Sequence, residues 1–235
     1  MRKIQFIILG LMLASAVAAQ QVNDPNAVVR PAKDFHGINV SSAFDVYLTQ
    51  GGDEAVAVSA SEEKYRDRIR VEVKAGILYV SYDNKGLQWG SGNKKLKAYI
   101  SFKNIDLLKV SGACDVMIAG TLRADNLNIS QSGASDLKGK IDVKKLTVDL
   151  SGASDFSVGG NAGQLYVEAS GASNFKGYDL VTETCTAKAS GASDIKVMVN
   201  KELSADASGA SDVRYRGGAV IRELRSSGSS SVSKG

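Results

Sequence analysis

A chain of 235 residues with 43% hydrophobic and 23% charged content carries enough apolar material for a core, which excludes a disordered chain. Its 29 Lys and Arg face 25 Asp and Glu, and two of the basic residues, Arg2 and Lys3, lie in a leader-like segment; the remainder is nearly neutral, so no nucleic-acid partner is expected. A single histidine, His36, and two cysteines exclude imidazole triads, multi-histidine metal centres and CxxC clusters, and no cofactor is called for.

In chain order, residues 1–19 (MRKIQFIILGLMLASAVAA) place two basic residues before the apolar run Ile4 to Leu13 and end in small residues, the layout of a signal peptide cleaved after Ala18 or Ala19. A membrane anchor is the competing reading, but the apolar run falls short of the roughly 20 residues a spanning helix needs. No second hydrophobic run follows, and no Cys stands where a lipid would be attached. The expectation is an exported protein, periplasmic, on the cell surface or secreted, with no transmembrane segment in the mature chain. Residues 20–33 read as a linker and 34–235 as one domain.

Residues 34–104 read as a less regular, strand-rich part. Period-two patterning predicts strands at 37–40, 44–50, 55–60, 69–74, 77–82 and 95–102, with turns at Gly51-Gly52 and Ala75-Gly76. The segment SEEKYRDR at 61–68 allows a helical turn or two. The stretch DNKGLQWGSGNKK at 83–95 reads as an exposed loop. Its Trp89 either stacks on a ligand such as a sugar or peptide, or folds back over an edge of the domain.

Residues 105–231 are repetitive. SGACD at 111–115 is followed by SGASD at 132–136 and 151–155, SGASN at 170–174, SGASD at 190–194 and 208–212, and a decayed SGSSS at 227–231. The first serines are 21, 19, 19, 20, 18 and 19 residues apart, and SSAFDV at 41–46 is a distant copy. Before each pentapeptide, positions one, three and five back are apolar (Leu150, Val148, Leu146; Ala169, Val167, Leu165), with Asp149, Thr147, Glu168 and Tyr166 between them. That alternation is a half-buried strand. After each pentapeptide a second strand begins with Val116, Leu137, Phe156, Phe175, Ile195 or Val213, and a turn such as Gly159-Gly160-Asn161 should end it.

Two short strands cannot bury their own faces, so the units must stack, each coil adding about 4.8 Å. The fold class is therefore all-β, a parallel β-helix or solenoid with coils of about 19 residues. A leucine-rich repeat lacks its Asn column here, and a helical array is incompatible with a glycine in every unit. The glycines fit a bend with positive φ or a close approach of coils, and the following alanines read as a cramped column. The pentapeptide is thus read as a corner of the solenoid before it is read as a ligand site.

Asp115, Asp136, Asp155, Asn174, Asp194 and Asp212 should stack as a ladder. Bound cations, backbone hydrogen bonds or positive charge could relieve the repulsion, and Lys138, Lys176, Lys196 and Arg214, two residues on, favour charge compensation over calcium. Cys185 occupies a core leucine position and Cys114 a serine position about four coils away, too far for a disulfide.

With FHGINVSSAFDVYLTQG at 35–51, EAVAVSA, IRVEVKAGILYVSYD and the SGASD series in this order, residues 34–230 resemble the bacterial auto-transporter adhesin head GIN domain family. The resemblance implies an exported, right-handed, parallel β-helix-like protein of Gram-negative bacteria, and supplies no catalytic or binding residues. No barrel-like segment follows the repeats, which end in SSVSKG, so self-display is not expected. Two functions remain. One is a non-enzymatic, adhesin-like binding or surface-structural module whose repetitive polar faces meet a glycan, a cell-wall or host-matrix polymer or an envelope protein. The other is a β-helix polysaccharide lyase or hydrolase, which would need an acid and a base set by loops that break the repeat.

Overall fold

The computed structural model describes residues 24–85 and 94–235. It is 68% strand and stacks about seven parallel coils about 19 residues apart, a β-solenoid. The signal-peptide reading and the Trp89 loop fall largely outside the described residues.

The first half of the chain builds one end. Strands β1 (Val28–Arg30), β2 (Gly37–Ser42), β3 (Phe44–Gln50) and β4 (Ala55–Ser59) precede a short helix, α1 (Glu63–Arg66), and β5 (Ile69–Lys74), β6 (Ile77–Tyr82), β7 (Leu96–Phe102) and β8 (Leu107–Gly112) follow. All six strands predicted here form. Their spatial order differs from chain order, however: β2 lies between β6 and β8, and β3 between β7 and β9. The chain makes one coil, leaves to build an outer one, and returns on the first coil's other side. Antiparallel β5 closes β6, while antiparallel β4 covers β7 and carries β1. Gly37 is needed where the strands crowd: a Cβ there would lie 2.5 Å from the Ile77 side chain and 3.3 Å from that of Leu107.

The repeats form β9 (Asp115–Gln131), β10 (Asp136–Leu150), β11 (Asp155–Ala169), β12 (Asn174–Ala189) and β13 (Asp194–Ala207). The last coil is divided among β14 (Asp212–Arg216), β15 (Val220–Ser226) and β16 (Ser231–Lys234). Each repeat was expected to be two strands separated by a turn. Instead the ladder runs on through that turn, with β10 and β11 paired from Asp136↔Asp155 to Leu150↔Ala169. Small register shifts, between Lys138 and Lys140, Ser157 and Gly160, and Gly177 and Val181, absorb the unequal repeat lengths. A bulge bends a strand while most backbone groups stay paired.

Inside, equivalent residues stack coil on coil. Leu127, Leu146, Leu165, Cys185 and Leu203 form one buried column, and Val116, Leu137, Phe156, Phe175, Ile195 and Val213 another. The Phe156 and Phe175 rings stack at 5.3 Å. Both cysteines are buried and free, and burial pushes the Cys185 thiol up to about 12, so it stays protonated.

At the pentapeptide corner the glycine reading holds on both counts. Gly152 has φ 76°, and a Cβ there would lie 2.5 Å from the Gly133 carbonyl oxygen of the preceding coil. The alanine reading does not hold. Ala134, Ala153, Ala172, Ala192 and Ala210 are exposed, because the bend turns them outward. The cramped column is the next residue: Ser135, Ser154, Ser173, Ser193 and Ser211 are completely buried. Each hydroxyl donates to the carbonyl of the serine three residues earlier, at 2.8 Å for Ser154, Ser173, Ser193 and Ser211. Cys114 takes the same place, with its Sγ 3.4 Å from the Ser111 carbonyl oxygen. Backbone bonds cross the corner too, as Ala153 donates to Gly133 and Asp155 to Ser135.

Candidate functional site

The corner opposite the pentapeptides carries a shallow trough parallel to the solenoid axis. It consists of three depressions that merge. The first, about 810 Å³, begins at His36 and Asp106 and reaches Asn126, Asn128 and Lys144. The second, about 770 Å³, shares Asn126, Asp142 and Lys144 with it and extends over Lys145, Asn161, Gln164 and Thr184. The third, about 200 Å³, shares Lys145, Gln164 and Thr184 with the second and ends at Glu202, Ser204 and Arg222.

Register explains why these side chains line up. Asn126, Lys145, Gln164, Thr184 and Glu202 are successive partners in the parallel ladder, each one coil beyond the last. Beside them Asn128, Thr147, Tyr166, Thr186 and Ser204 form a second outward column. Apart from Lys145, the cations along the trough are matched by carboxylates. Lys144 meets Asp125 at 2.8 Å, Arg123 meets Asp142 at 3.8 Å, Lys201 meets Glu183 at 3.0 Å and Arg222 meets Glu202 at 2.6 Å. His36 Nδ1 lies 2.9 Å from Asp106 Oδ1 at the trough's end. Exposed pairs of this kind contribute little stability, but they leave the trough without a strong field of either sign.

Two other outward columns carry charge. On the sheet that follows the pentapeptides, the Asp ladder stacks as the sequence indicated, Asp115 to Asp136 to Asp155 to Asn174 to Asp194 to Asp212, and Asp45 extends it. Charge compensation is visible at two rungs. Lys176 reaches Asp155 at 2.5 Å and Arg214 reaches Asp212 at 2.7 Å, while the Asn174 amide donates to Asp155 at 2.7 Å. Burial alone would raise Asp155, but the Lys176 and Asn174 bonds outweigh it and hold the carboxyl below its ordinary range. On the neighbouring sheet, Asp149 faces Glu168 one coil on, and partial burial, then the Glu168 charge, raises it. Glu168 also accepts the Tyr166 hydroxyl at 2.8 Å, and Lys188 lies over the Tyr166 ring at 5.5 Å.

Of the site residues singled out in the sequence, Trp89 lies outside the described residues. Sequence reasoning foresaw polar ladders but missed the trough, because matching positions of many coils form it and no single motif marks it. The available signal was the polar column at a fixed offset before each pentapeptide, Lys145, Gln164, Thr184 and Glu202.

The family model described as "putative auto-transporter adhesin, head GIN domain" matches residues 34–219. The chain belongs to this family. Among solved structures, a putative adhesin from Bacteroides fragilis is 24% identical, with a TM-score of 0.82 over 90% of this chain and 98% of that one. A putative lipid binding protein from Parabacteroides distasonis is 18% identical at TM-score 0.66, again over 90% and 98%. A putative adhesin from Parabacteroides merdae is 15% identical at TM-score 0.65, over 89% and 95%. At these identities the likeness is one of fold. No curated protein matches the chain. Among the described residues of this GIN-domain protein, no helix is long and apolar enough to cross a membrane.

Proposed function

We propose that this GIN-domain protein is an exported, non-enzymatic, adhesin-like binding module that presents its repetitive polar faces to a polymeric or multivalent ligand at the periphery of a Gram-negative cell. The observation that carries the reading is the continuous axial trough, whose like positions recur coil after coil. Many equivalent shallow contacts give poor affinity for a small ligand and gain through avidity for a long one. A glycan, a cell-wall or host-matrix polymer or an envelope protein would serve as partner. Trp89 is proposed as an additional stacking contact, worth a measurable fraction of retention.

The alternative, a polysaccharide lyase or hydrolase, would rest on Asp149 and Glu168, two acids on neighbouring coils of which Asp149 is raised by partial burial and the Glu168 charge. These acids stand on an open sheet face, where water is not excluded. Register shifts of one to three residues also build no catalytic loop.

The test is retention of the mature protein on insoluble cell-wall and polysaccharide particles, with reducing and unsaturated sugar ends assayed in the same tubes. Retention without release of ends is expected, and Trp89→Ala should weaken it. Release above a heat-treated control, abolished in Asp149→Asn, would establish the enzyme reading instead.

A further inference from the structure

We infer that the trough binds an uncharged, extended polysaccharide laid parallel to the solenoid axis, about one sugar unit per coil. The inference rests on the binding-module reading and assigns that module its surface and its ligand class.

Three observations select this ligand. The first is spacing. Successive rungs Asn126, Lys145, Gln164 and Thr184 recur at the coil rise of about 4.8 Å, close to the length of one pyranose unit in an extended glycan. An extended peptide advances about 3.3 Å per residue and would lose register with the coils within a few residues. The second is chemistry. Amides and hydroxyls each supply both donors and acceptors, as a sugar hydroxyl requires; Asn126, Gln164 and Thr184 provide them along the line, and the Lys145 ammonium between Asn126 and Gln164 adds a donor. Gln164 and Thr184 stand at the centre of the trough, where the second and third depressions join.

The third is charge. Four cation–carboxylate pairs span neighbouring coils around the trough, from Arg123 with Asp142 to Arg222 with Glu202, and His36 bonds Asp106 at its end; among the described residues Lys145 is the lining cation without a carboxylate partner. A polyanion, whether an acidic glycan, a nucleic acid or an anionic lipid surface, would have to displace those carboxylates before reaching any lining cation but Lys145, and one exposed lysine holds a polyanion weakly. A neutral chain displaces nothing. The exposed Asp ladder and the Lys and Arg column beside it lie on a different face of the solenoid, so the trough can be altered without touching them.

Affinity electrophoresis of the full mature chain in gels containing glucomannan, hydroxyethylcellulose or polygalacturonate tests the inference. Retardation is expected with one or both neutral polymers and not with polygalacturonate, and it should persist in about 1 M NaCl, where charge attraction is screened within about 3 Å. The double variant Gln164→Ala, Thr184→Ala should weaken it about tenfold. A second pair one coil back, Asn126→Ala with Lys145→Ala, should do the same, whereas Lys176→Ala should have no effect. Thermal melting of each variant verifies folding. Salt-sensitive retardation by polygalacturonate alone, or neutral-polymer binding that both folded trough variants retain, overturns the trough assignment while leaving a polymer-binding module in place. Failure of these gels and of every insoluble polymer to retain the protein removes both readings.

Discussion

Neighbouring residues of one pentapeptide have opposite tolerance. Gly152 sits at φ 76° with the Gly133 carbonyl where a Cβ would go, so Gly152→Ala must distort two coils at once. A loss of about 2–4 kcal/mol in chemical denaturation is expected. Ala153 faces solvent at the same bend, and Ala153→Lys should change stability by less than about 0.5 kcal/mol. Ser154 is buried with its hydroxyl on the Ser151 carbonyl, so Ser154→Ala should cost about 1–2 kcal/mol by leaving that carbonyl short of a donor. Ser154→Cys should cost less, since Cys114 already fills the equivalent place with its thiol on Ser111. Equal effects of Gly152→Ala and Ala153→Lys would show the corner to be built differently.

At the scale of the strands, the outward columns give opposite pH signatures. Asp155 is held below its ordinary range, so its bonds with Lys176 and Asn174 stabilise the fold at neutral pH, and that contribution is lost as pH falls through the folded value. Asp155→Asn should therefore lower Tm at pH 7, with the difference from wild type closing as pH falls below the ordinary carboxylate range. Asp149 is raised, so its ionised form is disfavoured in the fold, and that penalty develops as pH rises from the ordinary carboxylate value to the folded one and is constant above it. Asp149→Asn should raise Tm at pH 7 and have little effect below about pH 3. Because Lys176 and Arg214 already engage the Asp ladder, millimolar calcium or a chelator should leave Tm unchanged; a rise of several degrees would mean that the ladder takes up cations.

For the whole molecule, the sequence made the repeating half legible because a solenoid writes its geometry into one period. The first serine of each unit sets the corner, alternation sets the inside, and the apolar columns then follow. It was silent where identity and environment come apart. Alanine and serine are both small and both recur, and only the direction of the bend decides that Ser154 goes in and Ala153 goes out. Local pattern also located β2 to β7 but not their order, since the insertion of β3 between β7 and β9 depends on long-range pairing that no window of residues contains. The trough was hidden for a related reason: it is made by matching positions of many coils, and register rather than any motif brings Asn126, Lys145, Gln164 and Thr184 into line.

The central claim is that the molecule holds a polymer along its axis without cleaving it. Calorimetric titration with a series of linear neutral oligosaccharides from dimer to octamer tests it most directly. Affinity should rise steeply with length, by at least about tenfold from dimer to hexamer, and level off once the trough is spanned, with the oligosaccharides recovered intact. Equal affinity at every length, or shortened products after incubation, would contradict it.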